Sequence, residues 1–247
     1  MQMPKPLCAV SIVAALLALA LPCAALAAPG LGEEVYGATV TKGKTEIEAR
    51  YGALRGGSDQ GGDSLKLEAA ITPRRNLRIA TFVALDRDPA GHRQATEVAV
   101  EAVYTLGRVG GIDVAVYGEY ALGLHGNPDA LETKLLLERR AGPFDARLNL
   151  IAAKPFASGE KLELSYAASA DFAVAGEVRA GFAAFGELGT TSRFLPRAEH
   201  FVGPMIKGEI EGLGGPEIEI QTGYLFAVGK ARDNTKGQFR LLLELEF

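Results

Sequence analysis

From Thr45 to its last residue the chain repeats one pattern: apolar and polar side chains alternate, residue by residue, over stretches of about ten. TEIEARYGA sets Ile47, Ala49, Tyr51 and Ala53 on one face of an extended strand and Glu46, Glu48 and Arg50 on the other. The alternation recurs over 44–53, 64–72, 77–86, 95–106, 111–123, 131–140, 143–154, 161–171, 172–187, 199–211, 216–228 and 237–247. Each segment is close to the ~9–11 residues with which a tilted strand crosses a bilayer.

The links between segments alternate in length. Short ones fall at Pro73 to Asn76, Gly107 to Gly110, Ala141-Gly142, a tight bend at Asp171-Phe172, and Gly212 to Gly215. Long ones occupy 54–63, 87–94, 124–130, 155–160, 188–198 and 229–236. Tight inner turns and long outer loops are the rhythm of an outer-membrane barrel, and a soluble β-sandwich gives no reason for it. The expected fold is all-β: a transmembrane antiparallel up-and-down β-barrel of about 12 strands over 44–247. Pro204, inside the tenth segment, removes a ladder hydrogen bond, and a local bulge is the expected accommodation.

Charge obeys the same register. The strands point 19 acidic and nine basic side chains to one face and a single charge, Arg139, to the other. A charge facing lipid at the bilayer midplane costs up to ~2–4 kcal/mol, so the charged face is the lumen. The lumen set includes Glu46, Glu48, Arg50, Lys66, Glu68 and Arg78 on the first three strands. Glu101, Glu119, Glu132, Lys134, Glu138 and Arg147 follow in the middle of the chain, then Arg179, Glu209, Glu219, Arg240 and Glu244. Interleaved pairs such as Glu132, Lys134, Glu138 and Arg140 would brace the wall, while the excess of carboxylates would favour cations in a pore. Outward aromatics form two thin belts, Tyr104, Phe144, Phe172 and Phe247 at one level and Tyr51, Tyr120, Phe226 and Phe239 at the other.

Residues 1–27 carry Lys5, an apolar run and the small-residue triplet Ala25-Leu26-Ala27, the three parts of a secretory signal peptide, with cleavage expected after Ala27. Both cysteines, Cys8 and Cys23, lie there, so the remainder has no thiol for a disulfide, a metal or a nucleophile. The stretch 28–43 is expected to be a periplasmic lead-in to the barrel; its VYGATV run also suits a partial thirteenth strand or a lead-in inside the lumen. The formal net charge is −4 with no basic cluster, which argues against a nucleic-acid partner.

The chain ends QFRLLLELEF, placing Phe239, Leu241, Leu243, Leu245 and Phe247 on one face. This resembles the β-signal of Gram-negative outer-membrane barrels, an alternating last strand ending in phenylalanine. The resemblance implies the bacterial outer membrane as location. It implies the lipid bilayer with lipopolysaccharide, and the barrel-assembly machinery that reads the signal, as partners. The whole chain is similar to small porin-like and transporter barrels, without a motif that names a subfamily.

Other chemistry is sparse. Ser165 and Ser169 face inward, with no histidine on a neighbouring strand to activate them. His92, His125 and His200 map to the outer side near Asp86, Asp88 and Asp129, and read as solvated loop residues. GGSDQGGD, with Asp59 and Asp63, lacks the spacing of a calcium loop. No glycine-rich phosphate or dinucleotide motif follows a strand. No catalytic residue, metal or cofactor is therefore assigned. The function expected is a narrow, charged, cation-preferring pore for passive diffusion of small polar solutes. The alternative is a closed barrel acting through its outer loops, and an outer-membrane enzyme or metal-handling protein is less favoured.

Overall fold

The computed structural model describes residues 28–89, 91–211 and 215–247; the leader read as a signal peptide, and part of the link at 212–215, lie outside these. The strands are β1 (Thr45–Arg55), β2 (Asp63–Arg74), β3 (Leu77–Arg87), β4 (Gln94–Val109), β5 (Ile112–Gly123), β6 (Ala130–Ala141) and β7 (Phe144–Pro155). They continue as β8 (Glu163–Ala175), β9 (Val178–Thr190), the two-residue β10 (Arg193–Phe194), β11 (Glu199–Ile210), β12 (Glu217–Gly229) and β13 (Gly237–Glu246). β10 is a small ladder on the end of β9, so the wall has twelve strands. Each pairs antiparallel with its sequence neighbours, and β1 pairs with β13 from Glu46↔Glu246 to Arg55↔Gly237. That seam closes the sheet, leaving no edge for water or another strand to attack.

Closure decides what each face must be. Ile47, Leu67, Val100, Phe182, Phe226 and Leu243 are exposed on the outside, where the hydrocarbon of a bilayer takes the place of water. Glu48, Arg50, Glu68, Glu101, Lys134 and Glu138 are buried inside. Turns of a few residues close one end and the longer loops the other, which orients the barrel with its short turns in the periplasm.

Three local expectations are corrected. There is no bend at Asp171-Phe172: β8 runs through them, paired to Gly181 and Ala180, and turns at Gly176, whose φ of 53° suits a residue without Cβ. The alternation of Asp171 inward and Phe172 outward had already required the strand to continue. Pro204 causes no bulge: β11 keeps one register with β9 from His200↔Gly186 to Lys207↔Arg179, and with β12 on either side of the proline. Gly203 explains this, because a Cβ there would lie 2.1 Å from the Tyr224 carbonyl oxygen. The neighbouring backbone closes over Gly203 and no residue has to be extruded. Bulges occur elsewhere, for instance between Thr105 and Gly107.

The third correction concerns 28–43: it is not a periplasmic lead-in but, as the alternative reading has it, a lead-in inside the lumen, running down the inside of the barrel. Pro29 accepts a hydrogen bond from Gln238 Nε2 (3.1 Å) in the outer third. Tyr36 N donates to Asn149 Oδ1 (2.8 Å) near mid-height, and Asn149 Nδ2 returns one to the Tyr36 carbonyl (3.0 Å). Ala38 N donates to Glu138 Oε2 (3.0 Å) close to the short-turn mouth, where the chain reverses into β1. An extended segment inside a barrel must satisfy its backbone from the wall, and these side chains do so.

The interior is therefore packed as well as charged. Leu31 and Val35 of the segment join Leu54, Phe185, Phe201 and Leu225 in an apolar cluster in the outer half. Tyr36 and Ala38 join Val103, Ala115, Tyr117 and Leu136 lower down. Two stripes of one extended segment serve two walls, as period-two alternation allows.

Candidate functional site

The chemistry concentrates in the interior, where charges from distant parts of the sequence meet. On β1–β4, Arg50 is ion-paired to Glu68, to Glu48 (2.7 Å) and to Glu34 of the segment (3.3 Å). Arg78 reaches Glu46 and Glu68 (both 2.6 Å) and Glu101 (3.1 Å). Inward positions on adjacent strands stand side by side, so alternation plus register suffices to build this lattice.

On β5–β7, Lys134 pairs with Glu132 (3.0 Å), and Glu138 with Arg147 (3.3 Å) and Arg140 (3.4 Å). The Tyr117 hydroxyl donates to Glu101 (2.8 Å) and to Glu119. On β8–β9, Arg179 pairs with Asp171, an inward carboxylate absent from the expected set because the bend had been placed there.

Glu209, Glu219 and Glu244 differ. They stand directly opposite one another on β11, β12 and β13, and Glu244 in turn opposes Glu48 on β1. Among the described residues none of those three makes an ion pair. Like charges in direct opposition repel. The segment leans on the β4–β7 wall at this height, on the opposite side of the barrel from the row.

The segment itself is the feature that alternation did not place. Glu33 Oε1 lies 2.5 Å from Lys66 Nζ and Glu33 Oε2 3.9 Å from Lys134 Nζ, so one carboxylate spans two ammonium groups. Two strands of the wall thus hold the Glu33 carboxylate by charge. Arg240 donates to the carbonyl oxygens of Gly30 and Glu33, and its guanidinium lies 4.2 Å from the centroid of the Phe185 ring. Lys134 sits 4.5 Å from the Tyr36 ring and 4.2 Å from that of Tyr117. A cavity of about 10 Å³ beside Gly32, Glu33, Arg50 and Arg240 is the size of one water. The paired glutamates of GEEVYGATV were the available signal; their partners, from Arg50, 16 residues on, to Lys66, 33 residues on, and beyond to Lys134, were not.

The histidines are not assembled into a site. His92 and His125 lie on exposed loops, and His200 faces outward over Gly186, with Nδ1 3.4 Å from the Tyr166 hydroxyl. Asp63 begins β2 and is held by Arg87 and by Arg93 (2.5 Å), which leaves it no free oxygen for calcium. Phe239, Leu241, Leu243 and Leu245, read from the sequence as an assembly signal, lie on the outward face of β13, and Phe247 exchanges backbone hydrogen bonds with Thr45 (2.9 and 3.2 Å).

A closed twelve-strand barrel, apolar outside and charged inside, is the architecture of bacterial outer-membrane proteins, and the outer membrane is where this one resides. Solved structures of similar fold include the COG4313 outer membrane channel from Pseudomonas putida F1, with a TM-score of 0.57 at 12% identity over 84% of this chain and 96% of that one. The KdgM porin is similar as well, with a TM-score of 0.54 at 10% identity over 82% of this chain and 98% of that one. At such identities the likeness is one of fold. No family model matches the chain, and no curated protein does.

Proposed function

We propose that the protein is an outer-membrane channel for passive diffusion of small polar solutes, narrowed along its length by its own segment 28–43 and preferring cations. The channel reading is supported by the fold it shares with a porin and a channel, and by an interior too charged for a mere structural core. The cation preference is carried by one observation, the row Glu209, Glu219 and Glu244 without ion-pair partners among the described residues. Carboxylates lining a constriction concentrate cations and repel anions. No residue is assigned a catalytic role. A cleaved leader suits this reading, because residue 28 packs inside the outer half of the barrel. Lipopolysaccharide around the outer rim and the barrel-assembly machinery at the C-terminal strand are the partners we assign.

The test is single-channel recording of refolded protein under a KCl gradient. Steady conductance with a cation-selective reversal potential is expected, and the triple substitution Glu209→Gln, Glu219→Gln, Glu244→Gln should move that potential toward zero. An unchanged potential would remove the row from the selectivity mechanism. A second reading, a closed barrel that acts through its loops, is favoured by the apolar cluster of Leu31, Val35, Phe185 and Phe201 in the outer half. Silence from well-folded protein, with and without the segment, would select it.

A further inference from the structure

Lys66, Lys134, Arg50 and Arg240 come from four strands, β2, β6, β1 and β13, and converge on the stretch Gly30–Glu34. We propose that this convergence is a carboxylate-binding site of the lumen, filled in this state by Glu33 and Glu34 of the chain's own N-terminal segment. A small carboxylate solute would take the site when the segment leaves. The inference rests on the channel reading in one respect, that solutes reach the interior.

The geometry is that of a ligand in a site. One carboxylate presents one oxygen to each of two lysines, and the next residue's carboxylate reaches a buried arginine at 3.3 Å. Arg240 makes no ion pair among the described residues, and its acceptors there are the two backbone carbonyls of the segment. Withdrawal of the segment would strip Arg240 of those acceptors and Lys66 of its nearest one, and buried cations do not stay uncompensated. Wall carboxylates already share the work: Glu97 lies 3.6 Å from Lys66 and Glu132 3.0 Å from Lys134. The site nevertheless accepts a further carboxylate beside them, as Glu33 demonstrates.

The segment is tethered to β1, so its carboxylates compete at the high effective concentration of a short linker, on the order of millimolar. A free carboxylate must meet that competition, and weakening the tethered competitor must reveal the site. The experiment is calorimetric titration with glutarate, at constant ionic strength, of the full chain folded in detergent. The Glu33→Gln, Glu34→Gln variant is expected to bind glutarate at least about tenfold more tightly than the unaltered chain. Adding Lys66→Gln and Lys134→Gln should abolish that binding. Equal affinity in the unaltered chain and the first variant, or no binding by that variant, overturns the proposal.

Should that variant not fold, an Ala38→Cys chain gives a second measurement, since no cysteine lies beyond residue 23 and Ala38 is fully buried. Glutarate should speed maleimide labelling at position 38 relative to chloride of equal ionic strength, and equal rates overturn the proposal. Glutarate binding without conductance would sink the channel reading and leave the site standing; conductance without glutarate binding would do the reverse.

Discussion

Lys66 Nζ lies 2.5 Å from Glu33 Oε1, and both residues sit on stretches that descend toward the short-turn mouth, Lys66 on β2 in the wall and Glu33 inside it. Two reversals join them, one at the short-turn mouth into β1 and one through the outer loop into β2, so the first hairpin of the wall clamps the segment that precedes it. The segment is held by charge where it meets β1, β2 and β6, and by apolar contact where Leu31 and Val35 meet the β9–β12 wall.

Arg50 is the most heavily shared charge on that wall, paired to Glu34, Glu48 and Glu68 and 2% exposed. Arg50→Ala leaves Glu48 facing Glu68 across β1 and β2 without a cation of its own, and leaves Glu68 to Arg78 alone. A loss of about 3–5 kcal/mol is expected, the usual result of breaking a buried pair from one side. Urea unfolding of the refolded barrel reads it; a loss below about 1 kcal/mol would mean that water already screens the pair.

Gly203 is predicted to admit no side chain. Gly203→Ala drives a Cβ into the Tyr224 carbonyl and the Leu225 Cα of β12, at 2.1 and 2.9 Å. Overpacking of about 1–3 kcal/mol, or failure to close, is expected. Gly118→Ala is the control, because a Cβ there meets nothing within 4 Å. Gel mobility with and without heating separates folded from unfolded barrel, and equal behaviour of the two variants would refute the close-approach argument.

The hold on Glu33 is expected to limit conductance. Glu33→Gln removes the charge that Lys66 and Lys134 grip from two strands, and should raise the conductance of the refolded barrel at neutral pH. Equal conductance of the two proteins in planar bilayers would contradict the clasp.

Phe247 closes the β1–β13 seam through its backbone bonds to Thr45 and presents its ring outward, 61% exposed. Deleting it should impair insertion far more than shortening the loop at 56–62, whose bond across the seam, Asp59 N to the Asn234 carbonyl (3.1 Å), lies outside the strand ladder. The amount of folded protein recovered from outer membranes decides this, and wild-type levels of the deletion would count heavily against the C-terminal residue as an assembly signal.

Period-two alternation, the long and short links and the sorting of charge to one face determined the barrel, its strand faces and its inward residues from the sequence alone. This is because those features are local: each strand carries its own pattern, and lipid outside and polar groups inside impose the same rule on all twelve. Local rules also misplaced two details, the bend at Asp171 and the bulge at Pro204, where the deciding residues were the turn glycine Gly176 and the close approach permitted by Gly203. What only the tertiary structure decided is who partners whom across the lumen. Glu33 and Lys66 are brought together by the closure of the whole sheet, and no periodicity along the chain encodes the width of the space between them. For that reason the sequence left 28–43 open between a lead-in outside the barrel and one inside the lumen, and only the closed sheet chose the second.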